Sequence, residues 1–139
     1  MKKQIGIWLD YKEAFIIILS NNESEVNRID SEIEDFHLKG GARSKTPYGP
    51  MDVSSEKTLL ERRKNQLEKF YKKIMSLTQD SDEILIMGPA EAKIGLKKRM
   101  TKDNSFSPSV VGFESLDSVT ENQKVAFVRE FFRQQKPLK

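Results

Sequence analysis

The 139-residue chain has no cysteine and a single histidine, His37. Without thiols there is no disulfide, no thiolate metal site and no cysteine nucleophile. One imidazole does not make a His-rich metal centre, and any imidazole chemistry must rest on His37 alone. Neither a metal nor another cofactor is therefore expected. No apolar run approaches the roughly 20 residues of a membrane helix. The start, Met1-Lys2-Lys3-Gln4, leads into a charged, alternating segment rather than a signal peptide. These absences predict a cytoplasmic protein with no membrane partner. Glycine and proline number only seven and five, and they are unevenly placed, with Gly40, Gly41, Pro47, Gly49 and Pro50 crowded into one stretch.

What is present is a polar but core-forming composition, 37% hydrophobic and 32% charged, with the apolar residues in periodic runs. A length of 139 residues predicts one domain over 1–139. The net charge of +3 hides a segregation. Residues 1–38 hold four Lys/Arg against eight Asp/Glu, 39–102 hold fifteen against eight, and 103–139 hold five of each. A middle section at +7 beside a first section at −4 points to a polyanion-facing side, although a solvated basic helix has the same signature.

The spacing predicts a strand over 4–10, a tight turn at Asp10-Tyr11-Lys12 and a second strand over 13–19. A third alternating run, 24–30, follows the turn pair Asn21-Asn22 and completes an antiparallel meander. Periodicity then stops, and 31–53 reads as a loop well beyond ordinary length. A long helix is predicted over 54–78, with Leu60, Leu67, Phe70, Tyr71, Ile74 and Leu77 as its apolar face and Arg62, Lys69, Lys72 and Lys73 opposite. Those cations line up over successive turns and suit a phosphate backbone or plain solvation. An apolar strand over 83–87 runs into Gly88-Pro89, read as N-cap and first helical residue, with Glu91 near the positive end of the dipole. That helix continues through Ala92, Ile94, Leu96 and Met100, and Lys93, Lys97, Lys98 and Arg99 make its outer part basic. A strand over 108–113 follows. Thr120 and Gln123 have capping-box spacing and open a last helix that buries Val125, Val128, Phe131 and Phe132. The order predicts an α/β fold: a mixed sheet that starts with a three-strand antiparallel meander and continues in α-β-α-β-α units.

The stretch His37-Leu38-Lys39-Gly40-Gly41-Ala42-Arg43 lies in the long loop just before the basic helix. A Gly-Gly pair there supplies bendable, positively charged backbone, whether as a surface turn or as a working element. With the basic helix, the apolar strand ending in Gly88 and the helix start Ala90-Glu91-Ala92-Lys93, it resembles the middle domain of archaeo-eukaryotic class-one peptide-chain release factors and their Pelota-type relatives. The likeness runs over nearly the whole chain, which looks like a stand-alone bacterial homologue of that domain. It implies an RNase H-like layered fold and a loop of the form His-x-Arg-Gly-Gly-Gln that enters the peptidyl-transferase centre, where the Gln positions a water against the peptidyl-tRNA ester. Here Ala42 stands at the Gln position and offers a backbone N–H without a side-chain amide.

The resemblance thus implies a ribosome- or tRNA-binding module without efficient peptidyl-tRNA hydrolysis. Its loop motif would be His37, Lys39, Gly40, Gly41, Ala42 and Arg43, and its phosphate contacts Lys39, Arg43, Lys45, Arg62, Lys69 and Lys73. The alternative is a protein-interaction or homo-oligomer-forming domain that has kept the fold and lost the chemistry. A third reading, a metal-dependent nuclease using Asp10, Glu13 and Asp30, needs clustered carboxylates, and turn formation and edge solubility explain those residues more simply. Trp8 and Phe106 read as packing residues. Gly88-Pro89 lacks the further glycines and the Lys-Ser/Thr pair of a phosphate loop.

Overall fold

The computed structural model describes residues 3–20, 23–33 and 49–135. The turn pair Asn21-Asn22 and the motif at 37–45 lie outside the described residues. Strand β1 (Gln4–Leu9) pairs antiparallel with β2 (Glu13–Ser20), and β2 pairs antiparallel with β3 (Glu23–Asp30). Asp10 builds the first turn as anticipated: its Oδ1 accepts from the Lys12 and Glu13 amides at 2.8 and 2.9 Å. After β3 the chain turns away at Glu32, a non-glycine residue with φ of 59°. Its amide is held by Asp30 Oδ1 at 2.8 Å, and Ser31 Oγ donates to the Tyr11 carbonyl at 2.7 Å.

Helix α1 (Gly49–Thr78) leads to β4 (Glu83–Gly88), α2 (Ala92–Lys102), β5 (Ser109–Ser115) and α3 (Glu121–Gln135). Both β4 and β5 run parallel to β1, in the order β3-β2-β1-β4-β5. Parallel neighbours need crossovers, which α1 and α2 supply. The predicted α/β class, with a mixed sheet opened by a meander, is the observed one.

Alternation along the strands sorts the core into two faces. Ile5, Ile7, Leu9, Ala14, Ile16, Ile84 and Ile86 pack with Phe70, Tyr71 and Ile74 of α1 and with Ala92, Leu96 and Met100 of α2. Trp8, Ile17, Leu85 and Met87 point the other way, onto Val128 and Phe132 of α3. An extra residue in β5 shifts its register, so that Ile84 pairs with Val110 and Leu85 with Gly112. Val110 and Phe113 consequently both face the two-helix side, and Val111 faces α3.

Four local expectations are corrected. First, α1 starts at Gly49, so 49–53 belong to the helix and not the loop. Pro50 sits in the first turn, where its missing N–H breaks no helical bond. Second, Leu60 and Leu77 are 56% and 49% exposed. Thirty residues make a helix of about 45 Å, against roughly 20–27 Å for strands of six to eight residues. Leu60 has the phase of the buried stripe, but the helix has already passed the sheet there. Arg63, over the Tyr11 ring at 5.5 Å, covers the turn between β1 and β2. Leu77 lies beside the stripe, whose last turn is completed by buried Thr78.

Third, α2 begins at Ala92, with Glu91 at the N-cap making no side-chain cap bond. Gly88 is still strand, held against β1 so closely that a Cβ would lie 2.3 Å from the Leu9 carbonyl oxygen. Fourth, Ile94 is 43% exposed and Lys93 takes the inward place. The capping box of α3 forms as expected: the Gln123 amide donates to Thr120 Oγ1 at 3.1 Å, and the Thr120 amide to Gln123 Oε1 at 3.0 Å. Trp8 and Phe106 are core residues, 1% and 7% exposed.

Candidate nucleic-acid interface

The two helices on one face are joined by a buried tyrosine. Tyr71 of α1 donates its phenol to the Ala92 carbonyl of α2 at 2.7 Å. Gly95 makes this possible, since a Cβ there would lie 2.5 Å from the Tyr71 oxygen. Burial, with a smaller contribution from Tyr11, pushes the Tyr71 phenol well above its ordinary value. It stays neutral and serves as a donor. Above it lies Arg99, 4.6 Å from the ring centroid. Arg99 Nε donates to Glu68 Oε1 at 2.9 Å, its Nη2 reaches the second oxygen, and Nη1 donates to the Gly95 carbonyl at 3.1 Å. A bidentate pair over an aromatic face clamps α1 to α2 and removes one cation and one anion from the outward charge.

Most remaining cations of this layer face solvent. On α1, Arg62, Lys64, Lys69, Lys72 and Lys73 are exposed, and on α2 so are Lys97, Lys98 and Lys102. Lys93 is only 6% exposed, and its ammonium is held by the Ala90 carbonyl at 2.5 Å. Its place in the basic outer face is therefore corrected: the chain doubles back before α2, and the side chain closes that bend. Arg99 leaves the outer set for the same kind of reason, as the inter-helix clamp. Lys97 remains outside while lying over the Phe113 ring at 4.7 Å.

The predicted phosphate contacts Arg62, Lys69 and Lys73 thus share the exposed side of α1. His37, Lys39, Gly40, Gly41, Ala42, Arg43 and Lys45 lie outside the described residues. Lys102, which sequence spacing alone does not single out, ends the helix that displays Lys97 and Lys98. It lines an open groove between α1 and α2 with Lys72, Met75, Gln79 and Phe106.

Acidic residues proposed for metal chemistry are spent on local structure. Asp10 holds its turn, Glu13 pairs with Arg28 at 2.6 Å, and Asp30 caps the Glu32 amide. Among the described residues no three His, Cys, Asp or Glu side chains are grouped to hold a metal ion. On the opposite face Lys124 is buried, with its ammonium 4.4 Å from both the Trp8 and Phe15 ring centroids and 2.6 Å from the Val119 carbonyl.

No protein-family model matches the sequence, and no curated protein matches it. Among solved structures, the chain is similar to an archaeal translation termination factor, aRF1. The superposition has a TM-score of 0.44 and 14% sequence identity. It covers 96% of this chain and 40% of the other, so the chain spans well under half the length of that protein. Among the described residues no helix is long and apolar enough to cross a membrane.

Proposed function

We propose that the chain is a translation-associated RNA-binding module, with the ribosome or tRNA as its partner, and that it does not efficiently hydrolyse peptidyl-tRNA. The observation that carries this reading is the charge of the helical layer: α1 and α2 together hold twelve Lys/Arg against four Asp/Glu. Eight of those cations, from Arg62 to Lys102, are exposed on adjacent helices of one face. A concentrated, one-sided field of this kind is the electrostatic footprint of a polyanion site. Lys39, Arg43 and Lys45 are assigned as further phosphate contacts. The motif of the resembled family supports the choice of partner, and Ala42 in the place of its Gln supports binding without hydrolysis.

Co-sedimentation with ribosomes and fluorescence titration with tRNA test the reading. Binding is expected at low salt, with log K falling linearly against log salt. Lys69→Glu/Lys73→Glu is expected to flatten that slope by about 1.4–1.8, the loss of two phosphate contacts. A protein that neither sediments with ribosomes nor binds tRNA at low salt overturns the proposal. Ala42→Gln tests the missing amide, as a gain in peptidyl-tRNA hydrolysis.

A second reading, a protein-interaction or oligomer-forming domain, draws on the other face. There, among the described residues, a single helix leaves Phe15, Leu19, Val26 and Phe127 half-buried. A tight dimer by analytical ultracentrifugation, without salt-dependent RNA binding, decides for it.

A further inference from the structure

The groove between α1 and α2 has a construction that a merely solvated helix pair does not require. Its α1 wall is Glu68, Lys72, Met75, Ser76 and Gln79, and its other wall is Arg99, Lys102, Asp103 and Phe106. Glu68, Lys72, Met75 and Ser76 follow the spacing of one stripe on α1, extended by Gln79 just past its end. The other wall is the last turn of α2 with Arg99 and Lys102, then Asp103 and Phe106 of the loop that follows, and the two enclose an open trough of about 510 Å³. That volume falls within the roughly 300–1,000 Å³ of small-molecule sites. Met75 is half-buried and Phe106 is 7% exposed, which makes the floor apolar. Lys72 and Lys102 stand exposed on opposite rims.

Of the two anions in the lining, one is neutralised by a cation and the other stays ionised, turned onto its own loop. Glu68 is bound by Arg99. Asp103 accepts from the Ser105 hydroxyl at 2.6 Å and its amide at 2.9 Å, hydrogen bonds that hold its carboxyl below the usual range. The trough therefore offers an apolar bottom, cationic rims, and polar groups between them. Ser76 Oγ donates to the Lys73 carbonyl at 3.1 Å and keeps lone pairs to accept. The Gln79 amide carries both donors and an acceptor.

We propose that this groove receives one unpaired nucleotide of the bound RNA, with the base laid on Met75 and Phe106, its edge toward Gln79 and Ser76, and the flanking phosphates on Lys72 and Lys102. A nucleobase has two apolar faces and a polar edge and is flanked by negative charge, which is the complement of this lining. Sequence-dependent RNA recognition works chiefly on bases that are out of the helix stack, because those alone expose a face and an edge together. The proposal rests on the RNA-binding reading above and adds a base pocket to its phosphate contacts.

The test is fluorescence anisotropy with three RNA duplexes: fully paired, carrying a single bulged nucleotide, and carrying the same bulge without its base. The wild-type chain is expected to bind the bulged duplex roughly tenfold more tightly than the abasic one, the scale of a single base contact. Met75→Trp, which fills the groove, is expected to abolish that difference while the salt dependence of binding to the paired duplex persists. Ser76→Trp, at an exposed position, fills the same space if the first variant does not fold. Equal affinity of the wild-type chain for bulged and abasic duplexes overturns the groove proposal and leaves the RNA reading standing. Failure to bind any of the three overturns the groove proposal, and overturns the RNA reading as well if tRNA and ribosomes are not bound either. A groove that instead takes an acidic apolar peptide, blocked by Met75→Trp while base preference is unchanged, belongs to a protein partner and overturns the proposal.

Discussion

The two faces of the sheet are built on the same strands and differ in almost everything laid over them. One carries α1 and α2, clamped by Tyr71 and by Arg99 on Glu68, with its outward charge strongly positive. The other, among the described residues, carries only α3, anchored on Trp8, whose indole N–H donates to the Leu116 carbonyl at 2.9 Å. Trp8 also meets Phe15 edge-on, at 6.0 Å between centroids. There a lysine is turned inward onto the aromatic rings. The contrast teaches that a cation's role here depends on which layer it enters: Lys124 packs, and Lys69 and Lys73 are displayed.

The largest expected effect tests the single-helix face. Trp8→Ala removes the anchor of α3 and the ring beneath Lys124, and is expected to cost about 3–5 kcal/mol in urea unfolding. A loss below about 1 kcal/mol would show that α3 is held by something other than Trp8. Next come the glycines. Gly88→Ala drives a methyl against the Leu9 backbone, 2.3 Å away, and should cost about 1–3 kcal/mol. Gly6→Ala meets the side chain of Val128 at the same distance and should cost less, because a side chain can move where a paired strand cannot.

On the two-helix face, Tyr71→Phe is expected to cost about 1 kcal/mol for the lost bond to Ala92. Its pH signature is specific. A phenol whose folded pKa is raised stabilises the fold fully below the ordinary tyrosine value of about 10 and loses that contribution as pH climbs above it. Thermal melts of the wild type should therefore fall in alkali more steeply than those of Tyr71→Phe. The smallest effect on stability belongs to the displayed lysines. Lys69→Glu/Lys73→Glu should leave the unfolding free energy within about 0.5 kcal/mol while flattening the salt dependence of RNA binding. Arg133→Glu on α3, an exposed residue paired with Glu130, should leave RNA binding unchanged. Equal losses from the two faces would erase the functional distinction between them.

Much of this was legible in the sequence because it depends on local period and local hydrogen bonds. The alternation of Ile5, Ile7 and Leu9 against Trp8 assigns strand faces without knowledge of their partners. The Asp10 turn and the Thr120 capping box close within three residues. Some failures were local, as where α1 already begins at Gly49 and where Lys93 is turned in by the Ala90 carbonyl three residues back; in the others the deciding partner was distant. Leu60 has the correct helical phase and no sheet beneath it, and Gly88 stays in the strand because Leu9 lies against it. Arg99 left the basic surface for Glu68, thirty-one positions earlier in the chain. The Gly-Gly motif stood out in sequence, and the groove did not, since its two walls come from separate stretches of chain.

By itself the sequence determined the element order, the two-sidedness of the strands, the charge segregation and the presence of Ala42 after Gly41. Only the tertiary structure decided which cations are displayed and which are consumed. Helical spacing says in which direction a side chain points, but not what it meets there. Lys93 meets the Ala90 carbonyl, Lys124 two aromatic rings, and Lys69 solvent.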